Sequence, residues 1–373
     1  MKVIIIGSGI VGASAAYHLV KNNTEVMMID KNHQGAATSA GAGIVCPWIS
    51  SVEDADWYKI AKQGANYYPE LISQLKEDNE ENVGYKKVGA LRIGTDSDEL
   101  DRIENEVRTK QKDAPELGDI ERLTPTEARE LFPPLHEGME AVFVSGAARV
   151  DGRLITDAMK RAAQKHGAKL VNGEAELIHE RGRITGARVN GEKFYADAVL
   201  LTAGAWSQKL LAPIGIDLKV ESQRGQIAHI KLSATDTSNW PVVLPKGSHY
   251  MLAFDDSRIV AGATRETGAG FDYRTTVGGV HEVTTEALSV APGLAEGTLQ
   301  EVRVGFRPLG PDVLPILGEL DNVKDVVVAT GLGASGLTMG PYVGALAASI
   351  VTGEEVDLDL TAYNPMRAIK ITN

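Results

Sequence analysis

Val3-Ile4-Ile5-Ile6-Gly7-Ser8-Gly9-Ile10-Val11-Gly12 opens this chain and decides how the rest is read. The apolar run reads as a buried parallel strand, and the small and apolar residues 13 to 20 read as a helix. Residues 25 to 29 form a second strand that stops at Asp30, 18 residues past Gly12. Alone, Gly-x-Gly-x-x-Gly recurs by chance. Set between two strands, at the start of a helix and with an acid at this distance, it marks a dinucleotide site. Gly7 permits the tight strand-to-helix turn, Gly9 lets a diphosphate approach the backbone, and Gly12 lets the helix pack on the strands. The diphosphate then meets the helix N-terminus, where unpaired N–H groups and the helix dipole favour an anion. Asp30 is expected to accept from both hydroxyls of a ribose and to repel a 2′-phosphate.

The 373 residues exceed one ordinary core, so two domains are expected. A hydrophobic fraction of 43% with 24% charged residues describes an ordinary globular protein. The net charge of −12 argues against nucleic acid or an anionic membrane as partner. Cys46 is the one cysteine, which excludes an intramolecular disulfide, and the eight histidines show no ligand spacing, so no metal site is expected. Reading the N-terminus as a signal peptide would place cleavage inside or beyond the glycine motif, and that reading is rejected. The most apolar late segment, residues 343 to 351, is too short to span a bilayer. A cytoplasmic location with no transmembrane segment follows as an expectation.

Residues 34 to 43, Gln-Gly-Ala-Ala-Thr-Ser-Ala-Gly-Ala-Gly, are nearly all small and carry no charge, as suits a loop passing close to a flat, bulky ligand. Helices are expected over 54 to 76, 98 to 111 and 151 to 166, and another begins at Thr124-Pro125-Thr126-Glu127 with the pattern of a capping box. Residues 183 to 195 read as a β-hairpin turning at Asn190-Gly191, and 198 to 201 as a buried strand. Residues 221 to 310 change character, with short β-rich runs that suit a mixed or antiparallel sheet. A last strand at 326 to 329, a glycine-rich turn at 330 to 336 and a helix at 337 to 351 return to the first style. The expected fold is therefore α/β plus α+β: a discontinuous Rossmann-like nucleotide domain from 1–85, 146–220 and 305–373, and a substrate domain from 86–145 and 221–304.

The N-terminal fingerprint, the loop Gly35 to Gly43, Ala203-Gly204-Ala205-Trp206-Ser207, Gly305-Phe306-Arg307-Pro308, Pro311-Asp312 and Ala329-Thr330-Gly331 occur in one order. Together they resemble the D-amino-acid oxidase family of flavoproteins, the branch with glycine oxidase, sarcosine oxidase and D-amino-acid dehydrogenase. The resemblance covers essentially the whole chain and implies FAD as cofactor. It places Gly7, Gly9, Ile10, Val11 and Gly12 at the pyrophosphate, Asp30 and Lys31 at the adenosine ribose, and Thr38, Ser39 and Ala40 along the pyrophosphate and ribityl chain. Gly43 and Ile44 run toward the flavin ring, and Ala175 meets the adenine. Ala203, Gly204 and Trp206 belong to the same surface. Gly331, Gly333, Ala334, Ser335, Gly336, Leu337 and Thr338 return under the flavin and ribityl.

For the substrate, the resemblance selects Arg307, whose guanidinium fork matches a carboxylate as a lysine cannot. Arg303 is a second arginine in the same segment; Tyr250 is aligned with a carboxylate-contacting tyrosine, and His249 is its polar neighbour. The implied reaction oxidises the C–N bond of glycine, a D-amino acid or a small secondary amine by hydride transfer to flavin N5, giving an imine that hydrolyses to a 2-oxo acid. Electrons then leave to oxygen or to a quinone or carrier protein; no residue pattern sets which, and the expectation leans slightly to a dehydrogenase or a sluggish oxidase. The late cysteine through which sarcosine oxidases attach flavin is absent, so a non-covalent FAD is expected. A flavin-dependent 2-hydroxy-acid dehydrogenase and a non-catalytic dinucleotide-binding protein are the alternatives, and a homo-oligomer is allowed.

Overall fold

In the computed structural model, which describes residues 1–370, the strand Lys2–Ile6 lies inside a nine-stranded sheet. Glu25–Asp30 pairs with it in parallel on one side and Ala198–Leu201 on the other, followed outward by Lys169–Asn172 and by Val323–Thr330. Val3, Ile4, Ile5 and Ile6 are buried on both faces, as expected for a strand covered on two sides. The hairpin Arg183–Val189 to Glu192–Tyr195 forms as read, with Asn190 and Gly191 both at positive φ.

The helix Ile10–Lys21 leaves the glycine turn and is sandwiched between Gly152–Lys165 and Gly336–Thr352. Small residues make this crossing tight. A Cβ on Gly344 would lie 2.5 Å from the carbonyl oxygen of Val11, and one on Gly340 2.7 Å from Ile10. Pro341 has no N–H for the carbonyl of Leu337, and the Tyr68 hydroxyl donates to that carbonyl instead. By length and composition the segment Gly333–Thr352 could cross a membrane, a longer stretch than the sequence reading gave. Here its helix is largely buried against Ile10–Lys21 and Ala55–Glu77, and its apolarity is that of a core helix.

A second nine-stranded sheet carries Ala90–Gly94, Ile120–Leu123, Glu140–Val144 and the strands from Glu221–Lys231 onward. Its longest pair joins Glu221–Lys231 antiparallel to Thr298–Leu309. The expected domain boundary at 304/305 falls inside that second strand, so residues 305–309 belong to the second sheet. The cause is local: Gly305 and Arg307 alternate along one strand, and their motif cannot be separated from the ladder that holds it. A small third sheet of Ile44–Val45, Ala148–Val150 and Tyr85–Lys87 sits between the two. The capping box at Thr124 is present, with Thr124 accepting from Glu127 N and Glu127 from Thr124 N.

The glycine turn is the tightest point of the fold. A Cβ on Gly12 would lie 1.9 Å from the carbonyl oxygen of Gly7 and 2.5 Å from Thr202 Oγ1. Gly12→Ala should therefore destabilise the protein by about 1–3 kcal/mol through overpacking. The check is a lowered unfolding midpoint in denaturant. Gly278→Ala, whose added Cβ meets nothing within 4 Å, is the matched control and should leave the midpoint in place.

Candidate active site

A cavity of about 930 Å³ lies where the strand ends Ile6, Asp30 and Thr330 face the second sheet. At one end stands the N-terminus of Ile10–Lys21. Gly9 occupies the cap position without a side chain, and Thr38 Oγ1 accepts from Ile10 N at 3.1 Å. The N–H of Val11, also in the first turn and at the cavity wall, remains for an anion. Asp30 accepts from Ser8 N at 2.5 Å, Ser8 Oγ at 2.8 Å and Asn32 N at 2.6 Å. A carboxylate offers about four acceptor positions. One is left for a ribose hydroxyl, not the two expected, because the carboxylate also holds the turn together. Lys31 pairs with Glu174, which Lys209 also meets at 2.7 Å; these two ammonium groups hold the Glu174 carboxyl down to about 2. Ala175 follows it at the cavity wall.

The second helix terminus, Gly336–Thr352, meets the same cavity through Gly333, Ala334, Ser335, Gly336, Leu337 and Thr338. Ser335 does not cap it; its Oγ accepts from Trp57 Nε1 at 3.0 Å. Thr338 Oγ1 donates to the Ile44 carbonyl at 2.9 Å and fixes the wall where Gly43 and Ile44 pass. Two uncapped helix N-termini thus converge on one space, the field an electron-rich ring and a diphosphate both favour.

The small-residue loop lines the cavity through Thr38, Ala40 and Gly43, but its glycines are small for protein contacts. A Cβ on Gly35 would lie 2.3 Å from the Phe306 ring, on Gly41 2.7 Å from Leu337, and on Gly43 1.8 Å from the Val150 carbonyl oxygen. Ser39 is outside the cavity; its carbonyl accepts from Arg153 Nε at 3.0 Å. Gly12 is buried behind the turn, and Gly331 turns at φ 75° against Ile316, so neither lines the cavity. Ala203, Gly204 and Trp206 do line it. Trp206 stacks on His33 at 4.4 Å and on Phe271 at 4.8 Å between ring centroids, closing the rim.

At the other end the second sheet presents Arg307 and Tyr250. Arg307 Nη1 donates to the Thr264 carbonyl at 2.9 Å and to Gln223 Oε1 at 3.3 Å, with no carboxylate partner. Its fork lies over Gly225, diagonal to it across the strand pair, so close that a Cβ there would be 2.7 Å from both Nη atoms. The Tyr250 side chain fills the matching gap over Gly262, where a Cβ would meet its hydroxyl at 2.8 Å. Burial raises the Tyr250 phenol and lowers the Arg307 guanidinium, and the electrostatic attraction between the two works against both shifts. At neutral pH the pair is a neutral phenol beside a cation. His249 lines the cavity too, but its Nε2 is 3.5 Å from Glu282 and does not join this pair. Arg303 pairs with Glu301 at 2.5 Å away from the cavity. Sequence reasoning missed Ser8, Gly225 and Gly262. Two glycines in β-rich runs were the available signal for the last two.

A family model described as FAD-dependent oxidoreductase matches residues 2–350. This chain belongs to that family. It is 50% identical to the oxidoreductase YurR of Bacillus subtilis (strain 168), over 98% of this chain and 99% of the relative. The crystal structure of iminodiacetate oxidase from Chelativorans sp. BNC1 superposes with a TM-score of 0.95 at 49% identity, covering 97% of this chain and 98% of that one. Glycine oxidase from Geobacillus kaustophilus gives a TM-score of 0.86 at 27% identity over 99% of each chain. The protein is thus an FAD-dependent oxidoreductase. Its residues fit that cofactor: an uncapped helix terminus behind a glycine whose Cβ would crowd Thr38, an acid at the second strand end, and a second terminus across the cavity.

Gly225→Ala should leave the fold and FAD content intact, because the atoms that must yield are the far end of a flexible side chain. Yielding shifts the Arg307 fork by roughly 1 Å, a displacement that can cost about 100-fold in rate. Steady-state kcat/KM with a carboxylate-bearing substrate, measured beside the flavin spectrum, checks this.

Proposed function

We propose that this enzyme oxidises the C–N bond of glycine, a D-amino acid or a small secondary amine, acting as an oxidase. One observation carries the reading: a guanidinium with no counter-ion, aimed into the FAD cavity beside a neutral phenol. FAD, when bound, supplies the acceptor for two electrons and the α-hydrogen. Arg307 supplies a bidentate grip on the substrate carboxylate, and Tyr250 a further donor beside it. Held at that point, the substrate presents its α-carbon at a fixed distance and angle, which removes most of the orientational cost of reaction. With the amine bound neutral, the α-hydrogen leaves with its electron pair, and no base in the cavity is needed at the α-carbon. Amines are preferred over 2-hydroxy acids because the named oxidases at 27% and 49% identity act on glycine and on iminodiacetate, and the second favours a secondary amine. Those names also favour oxygen as the electron acceptor.

Non-covalent attachment is part of this proposal. Cys46 lines the cavity, but burial pushes its thiol up to about 12, far from the thiolate that would form a link. Acid denaturation should release all flavin into the supernatant as FAD. Colour retained on the precipitated chain would contradict it.

Arg307→Ala should lower kcat/KM by about 2–5 kcal/mol, roughly 30- to several-thousand-fold, mainly through KM. Arg307→Lys should restore only part, since a point charge lacks the fork. Tyr250→Phe should be milder, and FAD content should be unchanged in all three. Anaerobic bleaching of the flavin across a panel of amines and hydroxy acids tests the reaction itself; bleaching by hydroxy acids alone would sink the amine reading.

A further inference from the structure

The rings of His33, Trp206 and Phe306 line the cavity, and Phe271 and Tyr273 form a second layer outside them that does not. His33 lies just past Asp30 and Phe306 just before Arg307, so the inner rings run along the rim between the nucleotide end and the substrate end. Phe271 stacks on the outer face of Trp206 and meets Phe306 edge-on at 5.2 Å between centroids. Tyr273 lies tilted on Phe306 at 6.4 Å, and its Cδ2 would be 3.1 Å from a Cβ on Gly35. Both outer rings stay nearly half exposed, 48% for Phe271 and 44% for Tyr273. Single exposed rings are ordinary, but these two share one segment and one target, the wall of the FAD cavity.

The segment that carries them leaves the second sheet at Thr267 and returns at Thr276. Both ends are pinned to the strand Glu221–Lys231: Gln223 Nε2 donates to Thr267 Oγ1 at 3.0 Å, and Thr276 N donates to Gln226 Oε1 at 2.9 Å. Between these points residues 268–275 belong to no strand. Two side chains of the sheet tie down the middle. Ser222 Oγ donates to the Gly270 carbonyl at 2.8 Å, and Arg224 Nη1 meets Asp272 at its carbonyl, 3.2 Å, and its carboxylate, 2.9 Å. Gly268 and Gly270 turn the chain at φ 81° and 57°, with open space beside both. A stretch with few backbone hydrogen bonds and half-exposed rings opens at a small free energy, without unfolding the sheet beneath it.

We propose that residues 268–275 are a strap that gates the exchange of FAD. Closed, Phe271 holds Trp206 against His33, and Tyr273 holds Phe306 over Gly35. Open, the strap frees the Trp206 wall and lets the dinucleotide pass. Phe271 and Tyr273 touch the wall and not the cavity, so they set the rate of passage and not the contacts of the bound cofactor. Asp272, through Arg224, is the fastening. The inference rests on the FAD site and is independent of which amine is oxidised.

The test compares wild type with Phe271→Ala, Phe271→Tyr, Asp272→Asn and Tyr195→Ala, the last an exposed ring outside the cavity. FAD release from the loaded enzyme is followed by the rise in flavin fluorescence on dilution, and FAD uptake by the stripped protein through quenching of tryptophan fluorescence. Phe271→Ala should speed both release and uptake on the order of 10-fold, leaving Kd nearly unchanged. Phe271→Tyr should stay near wild type, Asp272→Asn should fall between, and Tyr195→Ala should alter neither rate. Faster release with unchanged uptake would make Phe271 a plain stabilising contact and overturn the strap, as would two unchanged rates. Sedimentation of the same variants should show one oligomeric state throughout. A change in Phe271→Ala would mean that these rings face a second copy of the chain, and the strap falls. The unfolding midpoint of stripped Phe271→Ala should match wild type; a lower one would assign the faster exchange to a loosened fold and overturn the proposal.

Discussion

Phe306 joins the two sheets, and most of the site depends on that junction. Its N–H donates to the Gly35 carbonyl at 2.9 Å, and its ring fills the space above Gly35 that any side chain would claim. The preceding residue, Gly305, meets Ala40 so closely that a Cβ would lie 2.6 Å away. The following residue is Arg307. Three consecutive residues of one strand therefore seat the small-residue loop and place the Arg307 guanidinium. Loop and cation share a rigid base, so their separation is set by a β-ladder and not by a flexible connection.

The same economy runs through the glycines of the site. Gly225 and Gly262 do not turn the chain; they remove side chains from a sheet surface so that Arg307 and Tyr250 can lie across it. A guanidinium flat against backbone loses water on that face, which is the burial that lowers its proton affinity. The Thr264 carbonyl and Gln223 compensate part of that loss and leave the rest of the fork for a ligand.

Local signals made much of this legible in the sequence. The strand, glycine turn, helix and acid at 3 to 30 are contiguous, and their periodicities and spacing specify one local geometry. Asn190-Gly191 and the Thr124 capping box are equally local, and each forms as read. What stayed hidden is non-local. Nothing near residue 225 says that Arg307 lies over it, because that contact exists only once the strand register sets Gln223 opposite Arg307, 84 residues further along the chain. For the same reason the boundary at 304/305 divided a strand whose partner is distant in sequence. Asp30 was read as a ligand residue alone, whereas Ser8 and Asn32 also use it to brace the turn.

Cys46 adds a consequence for the lifetime of such an enzyme. Where oxygen takes the electrons, hydrogen peroxide is released inside the cavity that this thiol lines. Peroxide attacks thiolate, and burial pushes this thiol far above its ordinary range, so it stays protonated at neutral pH. The one sulfhydryl of the chain is thereby kept chemically quiet beside the source of its own oxidant, and turnover need not inactivate the catalyst through it.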